Sequence, residues 1–335
     1  MHACPKKTGG SLPPSKERSL ELSSQIFQIL AKSKNQVRPA GVEPDSEILD
    51  LGKSILLKKI SGAVKTGQAI HFLLPAFPAK SPNPQKTHSS EPDYGEVLAL
   101  KHLSRICDDI GNVYEGGARI TICSDGHVFG DLVQVEDAVV DHYGRCLVAM
   151  IRDFRLDQIG VFNMQHHFDG LNFSSMRRDL VESYGRSVEE IRRDVMGNES
   201  ERQLFNGIHR FLFEDMLVLQ AGLSRNAARE KSKIMAYEVI QRSHAWSGLV
   251  ERKFPEAVRL SIHPQLINSS KFGVKLLPRI DCNHGQDHTQ EQWRTPWHGV
   301  ALESDQGFSI VKKSEALALG AKETTCERGY VYFKS

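Results

Sequence analysis

The sequence predicts an α/β protein: a Rossmann-like, mostly parallel sheet in a three-layer core, with a helical insertion. Three observations carry that prediction. Short apolar runs alternate with segments of helical periodicity between residues 47 and 162. Residues 174–250 hold helical patterns and no good strand. Strand-like runs then return towards the end of the chain. Strands alternating with helices of this length imply crossover connections and a parallel sheet.

Residues 1–45 are rich in Ser, Pro, Lys and Gly. Their only periodic feature is a short apolar patch around Ile26, Ile29 and Leu30, so they read as a mobile N-terminal arm with one short helix. The α/β domain then runs over 46–335. Ile48, Leu51 and Ile55 have the spacing of a helix face. Ala69 to Leu74 is an apolar run closed by Pro75, hence a buried strand. Leu100, Leu103, Cys107 and Ile110 give a second helix, and Arg119 to Cys123 a strand of β-branched residues. Val140, Tyr143, Leu147 and Ile151 mark a third helix, and Ile159 to Phe162 a third strand. In the helical section, Leu204, Ile208, Phe211, Leu212 and Leu219 form one amphipathic helix, and Ser224 caps another running towards Trp246. Later strands are read at Val258 to Ile262, Phe272 to Leu277, Gly299 to Leu302, Phe308 to Val311 and Tyr330 to Phe333.

Composition narrows the function. The 335 residues are 40% apolar and 25% charged, ordinary for a globular protein with a sizeable core. With 43 basic and 41 acidic side chains the net charge is +2, which argues against a nucleic-acid partner. The longest apolar run, Ala69 to Phe77, is interrupted by His71 and Pro75, far short of the roughly 20 residues that span a bilayer. Met1 to Arg18 is polar and lacks a secretory core. Six cysteines, at 4, 107, 123, 146, 282 and 326, form no Cys-x-x-Cys pair and read as reduced thiols. The expected location is cytoplasmic.

Several motifs are set aside. Gly52-Lys53-Ser54 lacks the upstream glycine and strand of a phosphate-binding loop. No Gly-x-Gly-x-x-Gly follows a strand, and there is no Gly-x-Ser-x-Gly elbow. Cys282, His284 and His288 match no zinc module and read as a solvated loop. His167-Phe168-Asp169 with His263 has the residue types of an Fe(II)/2-oxoglutarate oxygenase. Those enzymes use an antiparallel double-sheet barrel, which makes this the alternative reading.

In open α/β sheets ligands bind beyond the carboxyl ends of the strands. Four segments qualify: Pro75 to Pro84, whose four prolines stiffen a loop carrying Lys80; Ser124 to Asp131; His166 to Asp169; and His263-Pro264-Gln265, with Arg259 in the strand before it and Lys271 beyond. Lys, Asp, His and Arg thus gather on one edge.

These segments resemble, in order, the isonitrile (isocyanide) synthase family, also called the pyoverdine/dityrosine biosynthesis family. The motifs are Pro75-Ala76-Phe77-Pro78-Ala79-Lys80-Ser81-Pro82-Asn83, Pro92-Asp93-Tyr94-Gly95-Glu96, Ser124 to Asp131, Arg259 to Gln265, Lys271-Phe272-Gly273 and Thr295-Pro296-Trp297-His298-Gly299. The resemblance runs from about residue 47 to the end, and the stretch from Leu223 to Phe254 looks like the fungal branch. It implies conversion of the α-amine of an L-amino acid, tyrosine or tryptophan favoured, to an isonitrile. Ribulose 5-phosphate supplies the carbon and is cleaved at a carbon–carbon bond, as in a lyase; one branch yields an N-formyl amino acid instead. No metal or cofactor is implied. The implied partners are the small-molecule substrates and an Fe(II)/2-oxoglutarate oxygenase acting on the product.

That chemistry needs an amine freed of its proton, an acid/base group working near neutral pH, and cations for a phosphate and a carboxylate. The expected roles follow. Lys80 binds phosphate or polarises the ketone, and Asp125 binds and deprotonates the ammonium. His263 is the acid/base, with His127 and His298 as alternatives. Arg259 and Lys271 hold anionic groups, and Ser124 and Trp297 contact substrate.

Overall fold

The predicted alternation becomes a parallel sheet with its order reversed at one point. The structure, a computed structural model, describes residues 15–37, 47–267, 269–277 and 294–335. The main sheet holds β2 (Ile70–Pro75), β3 (Ala118–Cys123), β4 (Ile159–Phe162), β5 (Val258–Ser261) and β7 (Phe272–Gly273). Its order is β4-β3-β2-β5-β7, all neighbours parallel. The chain steps from β2 outward through β3 and β4, then returns on the other side of β2 as β5 and β7. Beyond the carboxyl ends of β2 and β5 the order reverses, which is where an open sheet leaves a ligand crevice.

Period-2 alternation gives the sheet two apolar faces. Phe72, Leu74, Ile120, Ile122, Val258 and Leu260 face one buried cluster. It is completed by α2 (Glu47–Lys65), α3 (Tyr94–Val113) and α5 (Asp137–Asp153) through Leu56, Ile60, Leu100, Leu103, Tyr143 and Leu147. Leu73, Cys123 and Phe162 face the other cluster, covered by α6 (Phe173–Tyr184) and α9 (Arg225–Lys253) through Met176, Leu180, Trp246, Leu249 and Val250. The helical insertion is α6, α7 (Val188–Gly197), α8 (Glu199–Leu219) and α9. It has a small core of its own around Leu212, Met216, Ala228 and Ala236. A short α4 (Gly126–Phe129) follows β3.

The C-terminal strands form a separate four-stranded sheet. It contains β8 (Val300–Ser304), β9 (Gly307–Val311), β10 (Lys322–Thr325) and β11 (Val331–Lys334), ordered β10-β11-β8-β9, with α10 (Lys313–Ala318) between β9 and β10. Tyr94 of α3 packs edge-on to Phe308 and tilted against Tyr332, joining this sheet to the main body.

The expected mobile arm needs correction. Residues 16–31 form α1 (Lys16–Ala31), capped by Ser15, and bury Leu22, Ile26 and Leu30 in the main cluster. Beyond it, β1 (Gln36–Val37) pairs parallel with β6 (Gln265–Leu266). Asn35 clamps the site-bearing segment: its N–H donates to Gly273 O (2.7 Å), and its O accepts from Gln265 N (3.0 Å). A side chain at Gly273 would stand 1.8 Å from that Asn35 oxygen, so only glycine fits. The sequence hid α1 because Ser19 and Ser23 lie on its buried face. Their hydroxyls donate to Ser15 O and Ser19 O (2.9 and 2.6 Å), so polar residues occupy core positions.

Among the described residues no helix is long and apolar enough to cross a membrane. Cys107, Cys123, Cys146 and Cys326 are free thiols, and burial pushes those of Cys107 and Cys123 up to about 12. Cys4 and the Cys282, His284, His288 loop lie outside the described residues.

Candidate active site

Three loops interlock at the carboxyl edge. The loop after β2 turns through Phe77, a non-glycine residue at φ 57°, whose ring packs 4.9 Å from Trp297. Ser124, closing β3, donates its hydroxyl to Phe77 O (2.9 Å) and its N–H to Phe162 O (2.8 Å). Gly126 sits so close under this loop that a Cβ would be 2.0 Å from Pro78 O. Ser81 N–H donates to Trp297 O (2.8 Å), which brings in the turn at Pro296–His298. The ends of β2 and β3 and the 295–299 turn are therefore one rigid unit.

Lys80 lies inside this unit, not at its mouth, which corrects its expected role. It is 1% exposed. Its ammonium donates to Asp93 Oδ2 (2.7 Å), Pro296 O (2.8 Å) and Gly299 O (3.3 Å), and lies 3.0 Å from Glu96 Oε2. Four acceptors surround three protons, so no donor remains for a substrate. Burial opposes the charge, but Asp93 and Glu96 outweigh it and hold Lys80 above its ordinary range. The same carboxylates form the capping box of α3: Asp93 accepts from Gly95 N–H, and Glu96 accepts from Asp93 N–H. Asp93 and Glu96 were visible in the resemblance motif; the missed signal was that a capping box supplies two carboxylates to a nearby cation.

Two more expected site residues are structural. His127 is 4% exposed, and its ring stacks on Phe173 at 3.8 Å. Its Nδ1 and Nε2 lie 3.1 and 3.0 Å from Asp137 and Asp141, so both nitrogens are occupied. Trp297, 2% exposed, packs into the main core rather than walling a pocket. Ser124 keeps a loop-locking position, as described above.

Asp125 has the properties of a reacting group. It sits at the amino end of α4 with Oδ1 buried and without a partner. Burial pushes its carboxyl up to about 7, against the pull of its own backbone N–H. His298 is half-buried, its Nδ1 3.1 Å from Thr295 Oγ1 and its ring 4.7 Å from Phe211. Burial, then the charges of Lys86, His263 and Lys80, bring its pKa down to about 3. His298 is therefore a neutral imidazole in any working range. His263 follows β5 with an accessible ring; the protein packed around it and the Lys271 charge lower its pKa. The His263 charge is one of those acting on His298.

Arg259 lies on β5, and Lys271 immediately precedes the adjacent β7. Arg259, 6% exposed, donates to Ser247 O (3.2 Å) and Ser247 Oγ (3.0 Å) on α9. Among the described residues neither cation has a carboxylate within ion-pair distance. The helical insertion also supplies groups that the sequence did not single out for chemistry. Asp215 of α8 accepts from Lys86 (2.7 Å) and Asn83 (2.7 Å), and Lys86 lies over the Phe211 ring at 4.3 Å. Phe211 was visible only as one member of an apolar stripe.

The iron reading is corrected on two grounds. The sheet is parallel, not an antiparallel double-sheet barrel. Among the described residues no three His, Cys, Asp or Glu side chains come together in a metal-holding group, so His167, Asp169 and His263 do not form a ligand set.

Comparison with known proteins identifies the family. The family model described as "Pyoverdine/dityrosine biosynthesis protein" matches residues 60–324. The L-tryptophan isonitrile synthase AmbI2 of Fischerella ambigua is 44% identical over 82% of this chain and 80% of its own length. The L-tyrosine isonitrile synthase of Pseudomonas aeruginosa is 41% identical over 81% and 80%. The crystal structure of the PvcA protein from Pseudomonas aeruginosa superposes with a TM-score of 0.84 at 36% identity, covering 93% of this chain and 99% of that one. The expected fungal affinity is corrected: the Aspergillus fumigatus isocyanide synthase xanB reaches only 27% over 76% of this chain. With the family's pattern over most of its length and its fold throughout, the chain belongs to the pyoverdine/dityrosine biosynthesis protein family.

Proposed function

We propose that the protein is an isonitrile synthase that converts the α-amine of an aromatic L-amino acid to an isonitrile, with ribulose 5-phosphate as carbon donor. The observation that carries the reading is the opposite tuning of two groups at one sheet edge: a carboxyl raised to about 7 at Asp125 and an imidazole lowered to about 3 at His298. Groups pushed apart in this way take different tasks: the carboxyl exchanges a proton near neutral pH, and the imidazole stays a neutral hydrogen-bond donor. The relatives' names, which specify L-tryptophan and L-tyrosine, support an aromatic substrate.

Asp125 faces the substrate ammonium and takes one proton from it, a transfer that a carboxyl near pH 7 performs reversibly. The freed amine attacks the C2 ketone, forming a carbon–nitrogen bond and a carbinolamine. His263 supplies the proton with which the hydroxyl leaves as water. Neutral His298 donates a hydrogen bond to the oxygen on which charge develops. Both carbon–carbon bonds of the former C2 then break, leaving that carbon on nitrogen. C1 and the C3–C5 phosphate fragment depart as one aldehyde and one alcohol, the hydroxyl proton of the first passing to the carbon of the second, a lyase-type step that needs no oxidant.

The test is mass spectrometry of the products formed from ribulose 5-phosphate and each candidate L-amino acid. An isonitrile from tyrosine or tryptophan is expected, with turnover that survives exhaustive chelation. A formyl amide would assign the N-formylating reaction instead. Failure to consume either substrate would overturn the reading, as would activity restored only by Fe(II) with 2-oxoglutarate.

A further inference from the structure

Every other buried cation near the site has an anion beside it. Lys80 has Asp93 and Glu96, Lys86 has Asp215, and Arg177 has Asp137. Arg259 and Lys271 break this pattern. Leu260 pairs with Phe272 across β5 and β7, so the residues immediately before them, Arg259 and Lys271, stand opposite each other on the same face of the sheet. That face is the one covered by α9, whose Ser247 accepts from Arg259 and completes the surround. One nitrogen there is buried with no partner, Arg259 Nε. The carboxylate whose charge reaches both cations is Glu251, exposed and outside ion-pair distance.

We propose that Arg259 and Lys271 form a binding site for the phosphoryl group of a sugar phosphate, between β5, β7 and α9. The charge count selects the ligand class. Two unpaired cations are neutralised by a dianionic phosphate monoester and not by a single carboxylate. Its terminal oxygens also accept from Arg259 Nε and Lys271 Nζ. Burial and the neighbouring Arg259 charge lower the Lys271 pKa, and an arriving dianion restores it. The site is joined to the reacting edge, because Lys271 is also the charge that His263 senses. A sugar anchored here by its phosphate extends its carbon chain towards His263 and His298. The assignment gives that task to a site other than Lys80. It deepens the isonitrile-synthase reading and rests on it for the sugar.

The test separates the two claims. Binding of inorganic phosphate to the full chain is measured by calorimetry at constant ionic strength, in wild type, Arg259→Gln and Lys271→Met. Circular dichroism serves as the folding control. Saturable binding in wild type, weakened at least 10-fold in Lys271→Met and Arg259→Gln, is expected, with partial recovery in Lys271→Arg. In turnover assays the same variants raise KM for ribulose 5-phosphate at least 10-fold and leave KM for the amino acid unchanged. Lys271→Met replaces a half-buried side chain and keeps the test open if Arg259→Gln does not fold. Unchanged phosphate binding in folded Lys271→Met would overturn the site. A rise confined to the amino-acid KM would do the same, assigning the cations to its carboxylate. Phosphate binding lost in the variants of a protein that makes no isonitrile would keep the site and remove the function.

Discussion

Lys80 and Arg259 are both almost wholly buried, yet their surroundings are opposite. Lys80 emerges from the β2 loop into two carboxylates and two backbone carbonyls. Arg259 emerges from β5 into one serine, with a guanidinium nitrogen unpartnered. A buried charge must be compensated. Where the fold supplies the compensation, the cation is a strut; where it does not, the cation waits for a ligand. Lys80 ties the backbone on both sides of His298 to the amino end of α3, so it acts on the chemistry only by positioning. Arg259 retains the capacity to bind because the protein spends no anion on it.

The contrast is broken or sharpened first at Lys80. Lys80→Met leaves Asp93 and Glu96 as buried carboxylates without their cation, and removing one partner of a buried ion pair costs about 3–5 kcal/mol. Denaturant unfolding should show a loss of that size at unchanged m-value. Neutralising the partners as well, with Asp93→Asn and Glu96→Gln, should recover part of it. A Lys80→Met protein as stable as wild type would show that the ammonium is not a strut, and would reopen a substrate role.

Asp125 gives the next largest effect, in the opposite direction. Its folded pKa of about 7 lies above the ordinary carboxyl value. In the unfolded chain the carboxyl loses its proton near pH 4, while in the folded protein it holds on until about 7. Folding stability is therefore lost as pH rises between those two values, and the loss is complete above the upper one. Asp125→Asn escapes this penalty. It should be more stable than wild type by up to about 4 kcal/mol at pH 8, with the difference gone below about pH 4. Activity should move the other way, falling by roughly 10²-fold or more as the proton acceptor is lost. The wild-type rate should also show an acid limb near pH 7 that His298, already neutral, does not shape. Equal stabilities at pH 8 would mean that the buried oxygen is compensated by a group not seen here.

What the sequence made legible divides along the same line. Strand alternation located β2, β3, β4 and β5, because fully buried parallel strands are continuous apolar runs. It could not show that β8, β9 and β11 leave the main sheet, since period and length say nothing of which edge a strand joins. The carboxyl-edge rule singles out Asp125, His263, Arg259 and Lys271 from chain position, and His298 enters only through the family's motif. The rule misjudged Lys80, whose partners lie 13 and 16 residues further on at a helix start, and His127, which meets Asp137 and Asp141 one helix away. A residue's availability depends on contacts made across the fold, and no local pattern reports it. The helical insertion shows this most clearly: Phe211, Asp215 and Ser247 sit within long helices, where the apolar pattern identifies a buried face but not the charged group it meets.

The smallest effect on stability is the one that separates the two cations. Arg259 gains two hydrogen bonds from Ser247 and bears the cost of a buried charge with an unpartnered Nε. An unmade hydrogen bond in a buried place costs about 1–3 kcal/mol, which offsets what the Ser247 bonds contribute. Methionine has nearly the length of the aliphatic stem and carries no charge to desolvate, so Arg259→Met should stay within about 1 kcal/mol of wild type in the absence of ligand. The difference should emerge when phosphate is added. A ligand that binds only the folded protein at ten times its Kd stabilises it by about 1.4 kcal/mol, which raises Tm by roughly 2–4 °C for a domain of this class. Thermal unfolding of wild type should therefore rise with phosphate and not with chloride at equal ionic strength, while Arg259→Met should show the same Tm in both. An Arg259→Met protein that loses several kcal/mol without ligand would place Arg259 with Lys80 among the struts. One that still responds to phosphate would show that the anion is held elsewhere.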